Sequence, residues 1–173
     1  GTGSGKTTLA NALLAEIAET GDRIVILEDT RELACTAADQ VALKTRPGAA
    51  DLKTLVRSTL RLRPDRIIIG EVRGGEALDL LKAWNTGHPG GLATLHANSA
   101  RGALHRLEQL TEEAVATAPR AMIAEAVDLI VFITGRGSDR RVESLATVDG
   151  LDPDGGYQLN RLPAYLPNEG AQP

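Results

Sequence analysis

Gly1-Thr2-Gly3-Ser4-Gly5-Lys6-Thr7-Thr8 opens the chain. These residues are most of the pattern Gly-x-x-x-x-Gly-Lys-[Ser/Thr], whose first glycine would fall one position before Gly1. Successive backbone N–H groups of such a Gly-rich turn point inward and cradle a phosphate. The glycines allow the tight path because they carry no Cβ. The turn runs into a helix whose N-terminal dipole favours an anion. Leu9, Leu13 and Ile17, four residues apart, mark that helix. In such a cradle, built from Gly1, Thr2, Gly3, Ser4, Gly5 and Thr8, Lys6 would bridge the β- and γ-phosphates of a nucleotide. The Thr7 hydroxyl would ligate Mg²⁺. Residue 1 is not Met and the pattern starts inside itself, so the expectation is a piece of a longer protein. The buried strand that leads into such loops is expected upstream.

Bulk properties narrow the classes. The chain has 173 residues and 42% hydrophobic residues, enough for one globular domain with a core. Its net charge of −4 argues against a nonspecific polyanion binder, so no direct nucleic-acid binding is expected. Aromatic residues make up 2%, which leaves little for base stacking. A single cysteine, Cys35, excludes an internal disulfide framework and a multi-cysteine zinc module. No apolar run reaches the roughly 18 residues of a membrane span.

Strand and helix signals alternate along the chain. A helix is expected over residues 5–19, ended by Gly21, and a buried strand over Arg23–Leu27. A helix over 51–62, with Leu52, Leu55, Val56 and Leu60 on one side, stops at Pro64. Ile67–Ile69 reads as a second buried strand closed by Gly70. A helix over 75–86 follows, then the loop Gly87–Gly91 and a strand over Leu92–Leu95. Helices near 99–113 and 119–127 precede a strand over Leu129–Ile133. Further strands are expected over 142–148 and 157–159, around an Asp152-Pro153-Asp154-Gly155-Gly156 turn. The alternation implies a parallel sheet with helices on both faces. The division expected is a nucleotide-binding domain over 1–150 and a C-terminal strand with a Pro-containing tail over 151–173. Pro163, Pro167 and Pro173 fall in that tail.

Ligands in open α/β sheets bind beyond the carboxyl ends of the strands. Three strand ends here are polar: Glu28-Asp29-Thr30-Arg31-Glu32, Gly70-Glu71-Val72-Arg73, and His96-Ala97-Asn98. Glu71 stands where nucleotide hydrolases place an acid for Mg²⁺, and Gly70 leaves space for phosphates. Glu28, Asp29 and Glu32 are all candidates for the base that orients water for in-line attack. His96 could sense the γ-phosphate through a hydrogen bond. Arg57, Arg61 and Arg63 could stabilise a transferring phosphoryl group, in a neighbouring subunit's site. Cys35 and Trp84 read as packing residues and His105 as helix surface.

In order, the phosphate loop, Glu28–Glu32, Arg61–Arg73 and Thr86–Asn98 resemble the Walker A loop, Asp box, Walker B segment and His box of the secretion and traffic ATPases. These serve type II and type IV secretion systems and type IV pili. The resemblance covers residues 1–134. It implies a RecA-like P-loop NTPase fold, mostly parallel with helices on both faces. Lys6 and Thr7 would bind phosphate and Mg²⁺, Glu71 would be the Walker B acid, and Glu32 rather than Glu28 would match the general base. Glu28 would lie with the nucleotide-binding residues. His96 would match the His-box histidine, and Arg57 and Arg61 the arginines that reach nucleotide at subunit boundaries. The family implies ATP and Mg²⁺ as cofactors and a homo-hexameric ring with a separate N-terminal domain. Its site would be the cytoplasmic face of the bacterial inner membrane, docked on the secretion or conjugation apparatus by peripheral association.

Thr30 replaces the Pro usual in the Asp box of pilus and type II members. The run Gly74–His88 is similar to the conjugal transfer ATPases of the TrbB type. The leading expectation is therefore a motor that hydrolyses ATP to drive conjugative transfer, type IV secretion or pilus assembly. A pilus or type II assembly or retraction ATPase is the nearest alternative. A non-hydrolysing nucleotide-binding assembly module is the alternative of another class. A DNA-binding recombinase or helicase would need basic, aromatic loops that this chain lacks. The isolated fragment is expected to show little or no ATPase activity.

Overall fold

A computed structural model describes residues 3–163. Gly1, Thr2, Pro167 and Pro173 lie outside the described residues. The first helix, α1, spans Lys6–Ala18, and β1 spans Ile24–Glu28 with all five residues buried. Next comes β2, Gln40–Lys44, which the sequence reading did not anticipate. Only Val41 and Leu43 in β2 are half-buried, between exposed neighbours. Among the described residues it pairs on one side only, as an edge strand beside β1. Such a short alternation gives a weak signal.

Helix α2, Leu52–Thr59, is capped by Asp51, whose carboxylate accepts the Thr54 N–H at 2.8 Å. A 3₁₀ turn over Leu60–Leu62 completes the segment expected as one helix. Strand β3, Arg66–Ile69, precedes α3, Glu76–Asn85, and the two-residue β4, Leu92–Ala93. Then follow α4, Ala100–Glu112, and α5, Arg120–Ala126. The last strands are β5, Leu129–Thr134, β6, Arg141–Leu151, and β7, Tyr157–Leu162.

Strands β2-β1-β3-β4, in that spatial order, form a parallel sheet. Its strands are apolar because both faces are covered. On one face Leu14 of α1 packs with Ile24, Ile26 and Ile68. On the other, Val25, Leu27, Ile67 and Ile69 pack with residues of α2, α3 and α4. The remaining strands do not extend this sheet but form an antiparallel one, β5-β6-β7. Residues 135–140 and 152–156 are too short for a parallel crossover, which takes a dozen or more residues.

Position 150 falls inside β6, and Tyr157 of β7, 2% exposed, belongs to the main apolar cluster. Arg120 Nε lies 2.9 Å from Oε1 of the mostly buried Glu108, and His105 Nδ1 lies 3.5 Å from Oε2. The Arg120 contact joins α5 to α4, and His105 lies edge-on to the Tyr157 ring, with centroids 6.3 Å apart. Burial pushes the Glu108 carboxyl up, but the Tyr157 hydroxyl, Arg120 and His105 together hold it below the usual carboxylate range. Burial, reinforced by the Glu108 carboxylate, pushes the Tyr157 phenol up. Helix α1 buries Ala10 and Leu14. Leu9 and Leu13 instead line an apolar cleft of about 370 Å³ between β4 and β5.

Candidate functional site

A second cavity, of about 310 Å³, lies at the carboxyl ends of β1, β3 and β4. It is lined by Gly3, Lys6, Thr7, Glu28, Asp29, Glu32, Glu71, Arg73 and His96, among others. Its volume is at the lower end for ligand pockets, about 300–1,000 Å³. The strand ends read from the sequence therefore converge around the phosphate loop. Gly3 and Gly5 adopt left-handed φ values of 81° and 94°, which only glycine takes without strain. Gly5 is the N-cap of α1, and no side chain caps that helix end. The N–H groups of its first turn have no helical partner and suit an anion.

The three glutamates differ in setting. Glu28, only 4% exposed, accepts the N–H of Glu32 at 2.9 Å and of Leu33 at 2.8 Å through Oε1. It holds the loop after β1 in place. The space that Gly70 leaves is taken by this side chain rather than left for phosphates: a Cβ at Gly70 would lie 3.2 Å from Glu28 Cγ. Glu32 is exposed and accepts the Thr7 hydroxyl at 3.2 Å through Oε2. Asn11 reinforces the same loop, donating to Glu32 O at 3.3 Å and accepting from Ala34 N at 2.9 Å.

Glu71 is held from two sides. Arg73 Nε donates to its Oε2 at 2.6 Å, with a second close contact from the same guanidinium. His96 Nε2 lies 2.6 Å from its Oε1. The other ring nitrogen, Nδ1, lies 3.4 Å from Lys6 Nζ. An ammonium only donates, so Nδ1 would be the acceptor in that contact, while Glu71 Oε1 itself has no hydrogen-bond partner among the described residues. Lys6, His96, Glu71 and Arg73 thus form one polar chain across the cavity. The Glu71 bond, then the charges of Glu71, Asp29 and Glu32, push the Arg73 guanidinium still further toward its protonated form. The sequence reading placed Arg73 in the polar strand end after β3 but gave it no role of its own; here it lines the cavity and bonds Glu71. Its position two residues after Glu71, beyond a buried strand, was the available signal.

Other expected site residues fall elsewhere. Ser4 is buried and lines the apolar cleft, and Thr8 is exposed outside the cavity lining. Arg57 and Arg61 are exposed on α2 and the 3₁₀ turn, and neither lines the cavity. Arg57 Nε bonds Asp79 at 3.0 Å. Cys35 and Trp84 pack as expected, with Trp84 Nε1 donating to Ile67 O at 3.2 Å. His105 is half-exposed beside Glu108.

The donor set fits a magnesium nucleotide. Thr7 and Glu71 offer one hydroxyl and one carboxylate, and Mg²⁺ takes one or two protein oxygens alongside phosphates and waters. Among the described residues no cluster of three or more His, Cys, Asp or Glu could hold a metal ion. Such sites depend on the nucleotide's own oxygens.

The sequence profile of the family described as "Type II/IV secretion system protein" matches residues 1–136. The chain is 59% identical over 152 residues to "Conjugal transfer protein TrbB" of Rhizobium radiobacter, covering 87% of this chain and 47% of that protein. It spans about half the length of the curated relatives it matches. The crystal structure of the VirB11 ATPase of the Brucella suis type IV secretion system, in complex with sulphate, superposes with a TM-score of 0.75. That match has 30% identity and covers 84% of this chain and 46% of the other. The pilus retraction motor PilT with bound ADP gives a TM-score of 0.62 at 25% identity, over 95% of this chain and 46% of that one. Motifs, parallel sheet and relatives agree, and the chain belongs to the type II/IV secretion system protein family.

Proposed function

We propose that this chain is the ATP-hydrolysing part of a conjugal-transfer secretion motor. The observation that carries the reading is the single cavity joining the phosphate loop to Glu32, Glu71 and His96. The loop N–H groups and Lys6 would hold the β- and γ-phosphates and offset charge as the terminal phosphoryl leaves. Glu32 would orient a water in line with the γ-phosphorus and take its proton. The water oxygen bonds to phosphorus as the bridge to ADP breaks. Thr7 and Glu71 would hold Mg²⁺, which supplies charge neutralisation when bound. His96, between Lys6 and Glu71, would report the γ-phosphate through its ring nitrogens.

We infer further that the whole protein works as a homo-hexamer at the cytoplasmic face of the inner membrane, docked on a type IV secretion or conjugation apparatus. Thr30, the run Gly74–His88 and the TrbB relative support the conjugal branch over the pilus branch. No helix among the described residues is long and apolar enough to cross a membrane. The test is ATP hydrolysis by the full-length protein, wild type against Lys6→Ala, with oligomer mass measured in parallel. Loss of turnover in an assembly of unchanged mass supports the motor. Equal turnover in both defeats it, and none in either favours a non-hydrolysing assembly module.

A further inference from the structure

A side chain of the β5–β6 connection reaches the phosphate loop. Arg140, at the end of the β5–β6 connection, donates from Nε to the Gly3 carbonyl at 3.1 Å. Its Cδ also lies 3.3 Å from where a Cβ on Gly5 would stand. The guanidinium stem therefore crosses the loop at two left-handed glycines, Gly3 and Gly5. We propose that Arg140 is a positioning residue for the nucleotide phosphates, bracing the loop from the side opposite the ligand.

A trans peptide points its C=O and N–H in opposite directions. Holding the Gly3 carbonyl to Arg140 turns the Ser4 N–H away from the hairpin. Glycines have the widest backbone freedom, so a Gly-rich loop loses the most entropy when it closes on a ligand. A brace that fixes one peptide plane beforehand lowers that cost, and binding tightens through preorganisation. The hairpin is firm enough to act as an anchor. Asp139 N donates to Arg136 O at 3.0 Å. Gly135, at φ 83°, leaves room for the Asp139 carbonyl where a Cβ would lie 2.0 Å away. The neighbouring cation, Arg141, bonds within the hairpin, to Asp139 O at 3.5 Å.

The proposal rests on the nucleotide reading of the cavity, and the experiment separates the two. In the full-length protein, Mg·ADP and Mg·ATP affinity are measured by calorimetry, and kcat and KM by phosphate release. Arg140→Ala is expected to raise Kd and KM about fivefold, the scale of one hydrogen bond, with kcat nearly unchanged. Arg140→Met keeps the stem over Gly5, removes the donor, and should show the same rise if Arg140→Ala folds poorly. Arg140→Lys should recover most of the loss, and Arg141→Ala should bind as wild type. Wild-type affinity in both Arg140→Ala and Arg140→Met overturns the brace alone. Equal loss in Arg141→Ala also overturns it, because the effect is then general charge. A wild-type protein that binds no nucleotide overturns the underlying reading and the brace with it.

Discussion

Replacing Glu28 and Glu32 one at a time should separate stability from chemistry. Glu28 is buried, and its Oε1 takes two backbone N–H groups at 2.9 and 2.8 Å. Removing the carboxylate in Glu28→Ala leaves both donors without a partner, at about 1–3 kcal/mol each. Leu33 is half-buried and Glu32 is exposed, so water recovers part of that cost, and a loss of about 2–4 kcal/mol is expected. Glu28→Gln keeps the shape but weakens charge-assisted bonds to neutral ones, a loss of about 1–2 kcal/mol. Glu32 makes one 3.2 Å side-chain bond from an exposed position, so Glu32→Gln should change stability by less than about 0.5 kcal/mol. Its turnover should fall by about 10²–10⁴, the usual contribution of a positioned base. Denaturant unfolding gives the first quantity, and steady-state phosphate release in the full-length protein gives the second. A Glu28→Gln variant with wild-type stability and abolished turnover, beside a Glu32→Gln variant that still hydrolyses, would refute the assignment. Glu28 would then be the base.

Arg73→Gln should lower the Mg²⁺ concentration for half-maximal activity severalfold, because Arg73 Nε at 2.6 Å competes with a metal for Glu71 Oε2; an unchanged or raised value counts against Glu71 as the metal carboxylate. The Glu108 carboxyl sits below its usual range in the folded chain, so its contribution to stability is complete above the unfolded value of about 4.3 and is lost as pH falls through the folded one. The stability gap between wild type and Glu108→Gln should therefore shrink as pH falls from 6 toward 3, on the order of that window, and a gap constant with pH would remove the linkage. If Arg61 serves a neighbour's site, mixing inactive Lys6→Ala and Arg61→Ala subunits should restore about a quarter of the boundaries in a head-to-tail ring. Activity no greater than the two variants measured apart would place Arg61 outside the site.

Much of the parallel sheet was legible because its strands are uninterrupted apolar runs. Ile24–Leu27 and Ile67–Ile69 are buried on both faces, and such runs stand out without any partner being known. Strand β2 was not legible, because an edge strand with two half-buried residues gains its identity from the neighbour it pairs with. The strands after α5 were visible one by one, but their pairing was not. Periodicity reports which residues are apolar, whereas pairing depends on loop length. The same limit explains α1. The spacing Leu9, Leu13, Ile17 marks a helix correctly, yet the residues it buries are Ala10 and Leu14. Leu14 faces the sheet with Ile24, Ile26 and Ile68, whereas Leu9 and Leu13 turn toward the cleft beside β5, which Ala10 also lines.

The site shows why residue type alone could not assign roles. Glu28, Glu32 and Glu71 are chemically alike and all stand near strand ends. Burial separates them. A buried carboxylate must find donors, and Glu28 finds the backbone of its own loop, which fixes where Glu32 stands. Glu71, with a side chain 17% exposed, meets Arg73 and His96 and stays within reach of the cavity. Glu32 is exposed and bound by a single hydroxyl, so its carboxylate can meet water. That hydroxyl belongs to Thr7, the residue after Lys6. A displacement of the loop after β1 therefore moves Glu32 relative to the phosphate loop, so under the proposed reading Glu28 would act on turnover through geometry without touching the reacting atoms. In the proposed reading, the gradient from buried to exposed carboxylate over one cavity would divide positioning by Glu28 from metal holding by Glu71 and proton transfer by Glu32.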